Sequence, residues 1–209
     1  MIVVTVSRQL GSGGRVVGRL VADKLGIAYV DHEIVSRAAL LAGVSEEALG
    51  EADERRPSLL TYIADLLARY PTAAELGIPT VDVEPPLSQD TYRKLIEDVI
   101  RDVASKGSAV IVGRAGQVIL KDHKWALHVH VVAPFERRVQ QTMNREGLTR
   151  VEAEKRVRES DRDRGGYTRT YYKADWDDPL LYHLVVNTGR LDVETAANII
   201  VDASRSLMS

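Results

Sequence analysis

The sequence contains no cysteine. Disulfide bonds, thiolate nucleophiles and zinc sites with thiolate ligands are therefore excluded for these 209 residues. Neither sign of charge dominates. The sequence has 28 lysines and arginines and 30 aspartates and glutamates, which gives a formal net charge of −2. This balance gives no global electrostatic reason to expect nucleic acid or a membrane surface as a partner.

Long apolar runs and a basic leader are absent too. The chain opens directly on a short strand pattern, so we expect neither a signal peptide nor a transmembrane helix, and we expect a cytoplasmic protein. The motifs of a hydrolase nucleophile elbow and of paired glycosidase carboxylates are also missing. The length and a hydrophobic content of 44% suit one large domain, or a domain with an inserted lid.

Apolar runs rich in valine and isoleucine alternate with longer helical patterns along the chain. The runs predict strands at Ile2–Val6, Ala28–Val30, Ala109–Val112, Leu127–Val132 and Leu184–Val186. The patterns between them predict helices at Arg15–Leu25, Glu33–Ala42, Ser58–Arg69, Gln89–Lys106, Ala115–Leu120, Pro134–Arg145, Arg150–Arg162 and Val193–Ser206. Strands without polar alternation are typical of a buried parallel sheet with helices on both faces. The sequence therefore predicts an α/β fold of three layers.

Local signals mark where several of these elements begin. Ser88 and Asp192 are expected N-caps, and Thr149 with Glu152 forms a capping-box pattern. Four prolines make 70–88 a connection, which together with the helices before it forms an insertion between the second and third strands.

A glycine pair, Gly165-Gly166, follows the predicted helix that begins near Arg150. Pairs of this kind end or hinge helices, so we expect 161–178 to be irregular and interpret it as a lid.

The segment 2–18, IVVTVSRQLGSGGRVVG, joins a strand pattern to an amphipathic helix through the turn at 11–14. Glycines let the backbone approach an oxyanion closely, and a helix N-terminus directs free N–H groups and a positive dipole toward it. The segment therefore predicts a cradle for a nucleotide phosphate. The alternative is a plain turn whose glycines serve close packing.

This loop departs from the standard phosphate-binding motif G-x-x-x-x-G-K-[ST]. In the nearest register Arg8 stands at the first glycine and Gly13 at the second, while Gly14 replaces the lysine and Arg15 the hydroxyl residue. Arg15 is a candidate cation, because a guanidinium binds phosphate bidentately. We expect any Mg²⁺ to be held mainly by phosphates and water, with Ser7 and Ser12 as weak substitutes for the missing hydroxyl ligand.

Charged residues follow two of the predicted strands. Asp31 ends the second strand, with Arg37 six residues later, and Arg114 follows the third strand after Gly113. Because the carboxyl ends of the strands border the ligand crevice of an open α/β sheet, these residues suit a phosphate-handling site. The alternative for Arg114 is an ordinary surface arginine.

The run 158–164, Arg-Glu-Ser-Asp-Arg-Asp-Arg, is the third charged feature. Arg158 and Arg162 share one face of a helix, which suits a lid that closes over transferred phosphoryl oxygens. Alternating charge is also typical of a solvated helix held by ion pairs. His128 and His130 share a strand face, where they predict either a metal pair or, since no third ligand is visible, buried strand histidines.

Taken in order, these landmarks resemble those of cytidylate kinases. They are the glycine loop, Asp31-x5-Arg37, Val-x-Gly113-Arg114, Glu136-Arg137-Arg138 and Asp161-Arg162-Asp163-Arg164. A closer resemblance is to the cytidylate kinase-like family of bacterial proteins, over nearly the whole chain. It rests on the Ser-Arg-x-x-Gly-Ser-Gly-Gly-Arg opening at 7–15, the Val-Ile-Val-Gly-Arg strand end at 110–114, and Tyr-x-Leu-x-x-Asn-Thr-Gly at 182–189.

The resemblance implies one P-loop nucleoside monophosphate kinase domain over 1–209, with a five-stranded parallel sheet, a monophosphate-binding insertion at 32–107 and a lid at 147–178. It implies ATP as donor, Mg²⁺ as cofactor and CMP or dCMP as the leading acceptor. The implied ATP phosphate-binding residues are Gly11, Ser12, Gly13, Gly14, Arg15 and Val16. The implied acceptor-binding residues are Asp31, Arg37, Arg114, Asp161, Asp163 and Arg164. The implied catalytic residues are Arg15, Arg114, Arg158 and Arg162.

Two departures from cytidylate kinases bear on function. Those enzymes carry a lysine where Gly14 stands, which bears on the transfer rate, and an aspartate where Ala115 stands, which bears on selectivity for cytidine. Three functions stay open: a nucleoside monophosphate kinase, a nucleotide-binding regulatory or sensor module with lost or weak kinase activity, and a kinase of another small metabolite. The apolar pattern at 59–67 leaves room for a homodimer interface.

Overall fold

The computed structural model describes residues 1–31 and 88–207. The strands are β1 (Val3–Arg8), β2 (Ala28–Asp31), β3 (Ala109–Val112), β4 (Ala126–Val132) and β5 (Leu184–Asn187). The helices are α1 (Gly14–Leu25), α2 (Gln89–Lys106), α3 (Gly116–Ile119), α4 (Phe135–Glu146), α5 (Arg150–Tyr172) and α6 (Val193–Ser206), with a 3₁₀ turn at Pro179–Leu181. Several predictions fall on residues 32–87 and so lie outside the described residues. They are the helices at 33–42 and 58–69, the connection at 70–88 up to its last residue, most of the insertion at 32–107, the site residue Arg37 and the dimer interface at 59–67.

All five strands are parallel and follow the order β2-β3-β1-β4-β5. The central strand β1 pairs with β3 and β4, and its residue Val3 lies opposite Ala109 on one side and Ala126 on the other. Side chains on both faces of β1 and β3 are buried, which is the pattern of a sheet covered on both sides. The predicted α/β fold with a five-stranded parallel sheet is confirmed.

Helices cover the sheet on both faces. On one face α1 and α6 pack against β-branched side chains such as Val4 and Val6, and Ile200 is fully buried there. On the other face α2 and α3 pack through residues such as Ile100 and Ile119. This arrangement leaves the carboxyl ends of the strands uncovered at one edge, where the loops of a ligand site belong. Among the described helices, none combines the length and the apolar character needed to cross a membrane.

The predicted helix starts are confirmed. The Ser88 hydroxyl accepts a hydrogen bond from the Thr91 amide, and the Asp192 carboxylate accepts one from the Thr195 amide at 2.7 Å. Thr149 opens α5 with both bonds of a capping box. These caps satisfy amides that lack a partner within the helix.

The predicted irregular stretch at 161–178 is wrong over most of its length. Helix α5 runs through Gly165-Gly166 to Tyr172 and ends at Lys173, whose φ is 55°. Each glycine costs a helix about 1 kcal/mol relative to alanine. The helix nevertheless continues beyond the pair, where Thr168 is buried and Tyr172 packs against the core. The charged run 158–164 therefore lies inside one long helix.

Candidate phosphate-binding site

A cleft of about 790 Å³ opens at the carboxyl ends of β1 and β3. Its walls are the glycine loop, the turn after β3, and the inner side of α5. The basic residues that line it are Arg8, Arg15, Arg114, Arg145, Arg156 and Arg164, and the acidic ones are Glu146 and Asp163. Six guanidinium groups against two carboxylates make this cleft complementary to an anionic ligand.

The glycine loop presents an open helix N-terminus to the cleft. Gly11 and Gly13 have φ values of 78° and 76°, and α1 begins at Gly14 with no side chain capping it. A Cβ on Gly11 would lie 2.8 Å from the Cα of Arg138 and closer still to its carbonyl oxygen, so the position admits only glycine. The amides of this first turn lack intrahelical partners and suit a phosphate.

The predicted donor residues Gly11, Gly13, Gly14, Arg15 and Val16 all line the cleft. Ser12 does not line the cleft, because its side chain is buried inside the loop. Its hydroxyl donates to the Gln9 carbonyl at 2.9 Å, and its carbonyl accepts a bond from the Thr188 hydroxyl at 2.7 Å. The loop is therefore held in shape by its own polar groups and by the turn after β5.

The turn after β3 has three successive residues with positive φ. They are Gly113 at 87°, Arg114 at 52° and Ala115 at 54°. A side chain in this region costs roughly 1–2 kcal/mol per residue, and such strain is typical of functional sites. The Gly113 amide donates to the Val6 carbonyl at 3.0 Å, which ties the turn to β1. This turn directs Arg114 to the cleft, where Ala115 also contributes to the lining.

Arg8, the last residue of β1, lies across the floor of the cleft. Its side chain contacts the backbone of Gly14 at one end and of Gly113 at the other. Burial lowers the pKa of Arg8 to about 10, with further lowering by the positive charges of Arg164 and Arg15, so the group stays protonated at neutral pH. The sequence indicates Arg8, beside Arg15 and the lid arginines, as a cation that could compensate for the missing lysine, but it does not predict where Arg8 lies in the site.

Helix α5 contributes Asp163 and Arg164, two of the residues implied to bind the acceptor, to the lining of the cleft, and their role there stays a prediction. The Arg164 guanidinium donates to the hydroxyl of Ser160 and, at 3.2 Å, to its carbonyl. Burial lowers the pKa of Arg164, and the charge of nearby Asp161 opposes that shift. The outer rim adds Arg156, which the sequence did not single out.

Three other predicted residues of α5 lie outside the cleft lining. The Arg158 guanidinium packs over the ring of Phe135, 4.3 Å from its centroid. Both oxygens of Asp161 accept bonds from Arg138, at 2.8 and 3.0 Å, and Arg162 is exposed. The structure therefore does not bring these three residues together with the predicted site residues that line the cleft. Their roles in catalysis and acceptor binding stay predictions. Asp31, at the end of β2, is near enough to influence the pKa of Arg8 but is not part of the lining.

The two strand histidines belong to a buried polar layer behind the cleft. The Nδ1 of His128 lies 2.8 Å from the Thr5 hydroxyl, and His130 packs between the rings of Trp176 and Tyr182. Burial is the main cause that lowers the pKa of both histidines to about 4. Within residues 1–31 and 88–207, no group of three His, Asp or Glu side chains could hold a metal ion.

The sheet order, the glycine loop between β1 and α1, and the basic cleft at the strand ends define the class of fold as the α/β fold of P-loop kinases. The model of the cytidylate kinase-like family matches residues 3–190, and the chain belongs to that family. A cytidylate kinase of Methanothrix thermoacetophila is 25% identical over 208 residues, which cover 99% of both chains.

Two solved structures show the same fold. An uncharacterized protein from Eubacterium ventriosum superposes with a TM-score of 0.72 at 21% identity, over 99% of both chains. A shikimate kinase from Bacteroides thetaiotaomicron gives 0.53 at 11% identity, over 98% of both. Together with the family match, these relatives support a kinase that acts on a nucleotide or another small molecule.

Proposed function

We propose that this protein transfers the γ-phosphoryl group of ATP to the phosphate of a nucleoside monophosphate, with CMP or dCMP as the leading acceptor. The observation that carries the proposal is that two anion-binding features share one cleft. The open N-terminus of α1 suits the donor phosphates, and Arg114 suits the phosphate of an acceptor. A module that only bound one nucleotide would need the first feature alone.

In this reaction an oxygen of the acceptor phosphate attacks the γ-phosphorus of ATP. The bond from that phosphorus to the oxygen bridging it to the β-phosphate breaks, and its electron pair stays with ADP. The acceptor becomes a diphosphate, and no base is needed because its phosphate oxygen is already ionised. The protein contributes positioning and neutralisation of charge.

The basic residues divide between the two substrates in this proposal. Arg15, at the start of α1, binds the donor phosphates, whereas Arg114 and Arg164 bind the acceptor from the opposite wall. Asp163 faces the same space and is assigned to the acceptor base. Arg158 and Arg162 would join them only if α5 moves, so we assign these two to a closed state of the lid, whereas Asp161 stays paired with Arg138.

Mg²⁺ enters the proposal as part of the donor, bound to the phosphates of ATP. Asp163 and Glu146 are the carboxylates of the cleft lining, and Arg15 stands where the motif has a hydroxyl. This set of side chains does not fit a metal held by the protein, since Mg²⁺ requires several oxygen ligands in near-octahedral geometry. We therefore assign no metal ligand to the described residues.

A nucleotide-binding sensor with weak or lost kinase activity is the second candidate. The observation that favours it is Gly14, because removal of a cation that stabilises the transferred group costs on the order of 10³-fold or more in rate. A kinase of another small metabolite is the third, and Ala115 favours it, since the aspartate of cytidylate kinases is missing at that position.

The deciding experiment measures ADP release from ATP and Mg²⁺ with a panel of nucleoside monophosphates, a panel of phosphorylated metabolites and a blank without acceptor. Arg114→Ala is the test variant. Arg205→Ala is the matched control, because Arg205 is an exposed arginine on α6 that does not line the cleft. We expect turnover with CMP that falls at least 100-fold in Arg114→Ala and is unchanged in Arg205→Ala.

Turnover with a different acceptor, and none with CMP or dCMP, would contradict these two acceptors and identify the substrate class of the kinase. Binding of ATP without turnover on any acceptor would contradict the kinase and favour the sensor.

A further inference from the structure

We propose that Arg8 takes the place of the missing P-loop lysine and binds the phosphoryl group that is transferred. The loop departs from the standard motif at two positions, because Arg8 replaces the first glycine and Gly14 replaces the lysine. In this proposal the arginine gained at position 8 compensates for the lysine lost at position 14. The inference rests on the proposed function, because it assigns a residue to the phosphates of that same cleft.

The first support is steric. A Cβ built on Gly14 lies 2.5 Å from the Cβ of Arg8, 3.1 Å from its Cγ and 3.2 Å from the Cβ of Val131. Real Cβ contacts are essentially never as short as 2.5 Å, so a lysine at position 14 and an arginine at position 8 cannot both be accommodated without rearrangement. The stem of Arg8 therefore uses the space in which a lysine stem would begin.

The second support is the position of the guanidinium. A Cβ built on Gly113 would lie 3.1 Å from the Cζ of Arg8 and closer still to its Nη1. The head group therefore reaches from the glycine loop to the end of β3, next to the turn that carries Arg114. This is the space through which a phosphoryl group would pass from a donor on the loop to an acceptor on Arg114.

The third support is charge. Arg15 and Arg164 act on the Arg8 guanidinium as like charges, and Asp31 at the end of β2 opposes them. Within residues 1–31 and 88–207, Arg8 makes no ion pair with a carboxylate at 4.0 Å or less. A cation held among cations is stabilised when an anion binds, and a guanidinium supplies two parallel donors to phosphate oxygens.

Arg15 is the rival cation, and the structure separates the two. Arg15 is exposed at the mouth of the cleft, whereas Arg8 lies on its floor between the two glycines. In the transfer step the migrating phosphoryl group carries its negative charge on three oxygens while it lies between the two substrates, so a cation that stabilises this group must lie between donor and acceptor. The geometry assigns that place to Arg8 and leaves Arg15 to the donor phosphates.

The test is an exchange of the two positions. Arg8→Gly removes the cation, Gly14→Lys alone is overpacked, and the double variant Arg8→Gly/Gly14→Lys rebuilds G-x-x-x-x-G-K. We expect Arg8→Gly to lose on the order of 10³-fold in kcat and the double variant to regain at least tenfold of that loss. A purely structural role for Arg8 would not produce rescue from a lysine six residues away.

Two further variants keep the test valid if a glycine at position 8 weakens the fold. Arg8→Met keeps the length of the stem without the charge, and Arg8→Lys keeps both the stem and a charge. We expect Arg8→Met to lose the preference for ATP over ADP in calorimetric binding, with little change in ADP affinity, and Arg8→Lys to retain most of it. Circular dichroism and Tm establish that each variant is folded.

Wild-type turnover and wild-type ATP preference in Arg8→Met would overturn the inference, especially if Arg15→Ala lost both. Failure of the proposed function has a different signature. If the wild type binds ATP but phosphorylates no acceptor, the kinase fails while the ATP-over-ADP preference of Arg8→Met still decides the role of Arg8. If the wild type binds neither nucleotide, both are refuted.

Discussion

Replacing Gly165 and Gly166 together with alanine should stabilise the protein. Both glycines lie inside α5, neither has a positive φ, and a Cβ on either meets no atom within 4 Å. Alanine therefore adds no clash and lowers the entropy of the unfolded chain. The gain is about 0.5–1 kcal/mol per site, or about 1–2 kcal/mol together.

Thermal unfolding followed by circular dichroism measures this gain. For a domain of this size each kcal/mol raises the Tm by about 2–4 °C, so the double variant should melt about 2–8 °C higher. Gly147→Ala is the matched control, because its Cβ also meets no atom within 4 Å but its φ is 68°. That variant should melt lower, by the cost of a left-handed alanine.

Turnover measured on the same double variant tests the lid. If α5 bends at the glycine pair during closure, the double variant should be more stable but slower, with kcat reduced several-fold. Unchanged turnover would show that bending at the glycine pair is not part of the reaction cycle. A lower Tm would refute the argument that alanine fits both positions of α5 without a clash, because that argument predicts a higher Tm.

Two further substitutions test the described contacts. Gly11→Ala should cost about 2–5 kcal/mol of stability and most nucleotide affinity, measured by urea unfolding and calorimetry, because its Cβ meets the Arg138 backbone and its φ is 78°. Asp161→Asn should lower the free energy of unfolding by about 1–3 kcal/mol, because the Asp161 carboxylate pairs with Arg138. The KM for CMP should not change. A raised KM at unchanged stability would instead support the predicted role of Asp161 in acceptor binding.

Stability should also fall as the pH drops from about 6.5 toward 4, by about 1–3 kcal/mol for each buried histidine. Burial lowers the pKa of His128 and His130 from 6.5 to about 4, so the folded state binds fewer protons than the unfolded chain in this range. Urea unfolding at several pH values measures the loss, which should shrink in His130→Gln. An undiminished pH dependence in that variant would contradict the assignment to His130.

The described strands, most of the helices and their caps follow from the sequence alone, because they depend on local patterns. Runs of β-branched residues specify buried strands, and Thr149 with Glu152 specifies a helix start within four residues. The glycine loop is local in the same way. Its positive φ values at Gly11 and Gly13 are conformations that glycine adopts at little cost.

Local patterns were misleading at the glycine pair. The predicted helix end at Arg162, just before Gly165-Gly166, reflects intrinsic propensity, which is worth about 1 kcal/mol per glycine. Packing of residues beyond the pair, such as Thr168, outweighs that cost. The sequence pattern contains no measure of this packing, because it depends on which surface lies against the helix.

The sequence by itself determined that a strand, a glycine loop and a helix follow each other, and that arginines follow the strands. Only the tertiary structure decided which of these arginines share a cleft. Arg8 meets Gly113 across more than a hundred residues, and Asp161 meets Arg138 rather than the cleft. The physical reason is that a charge acts over a few ångströms in space, and sheet order and helix packing set those distances.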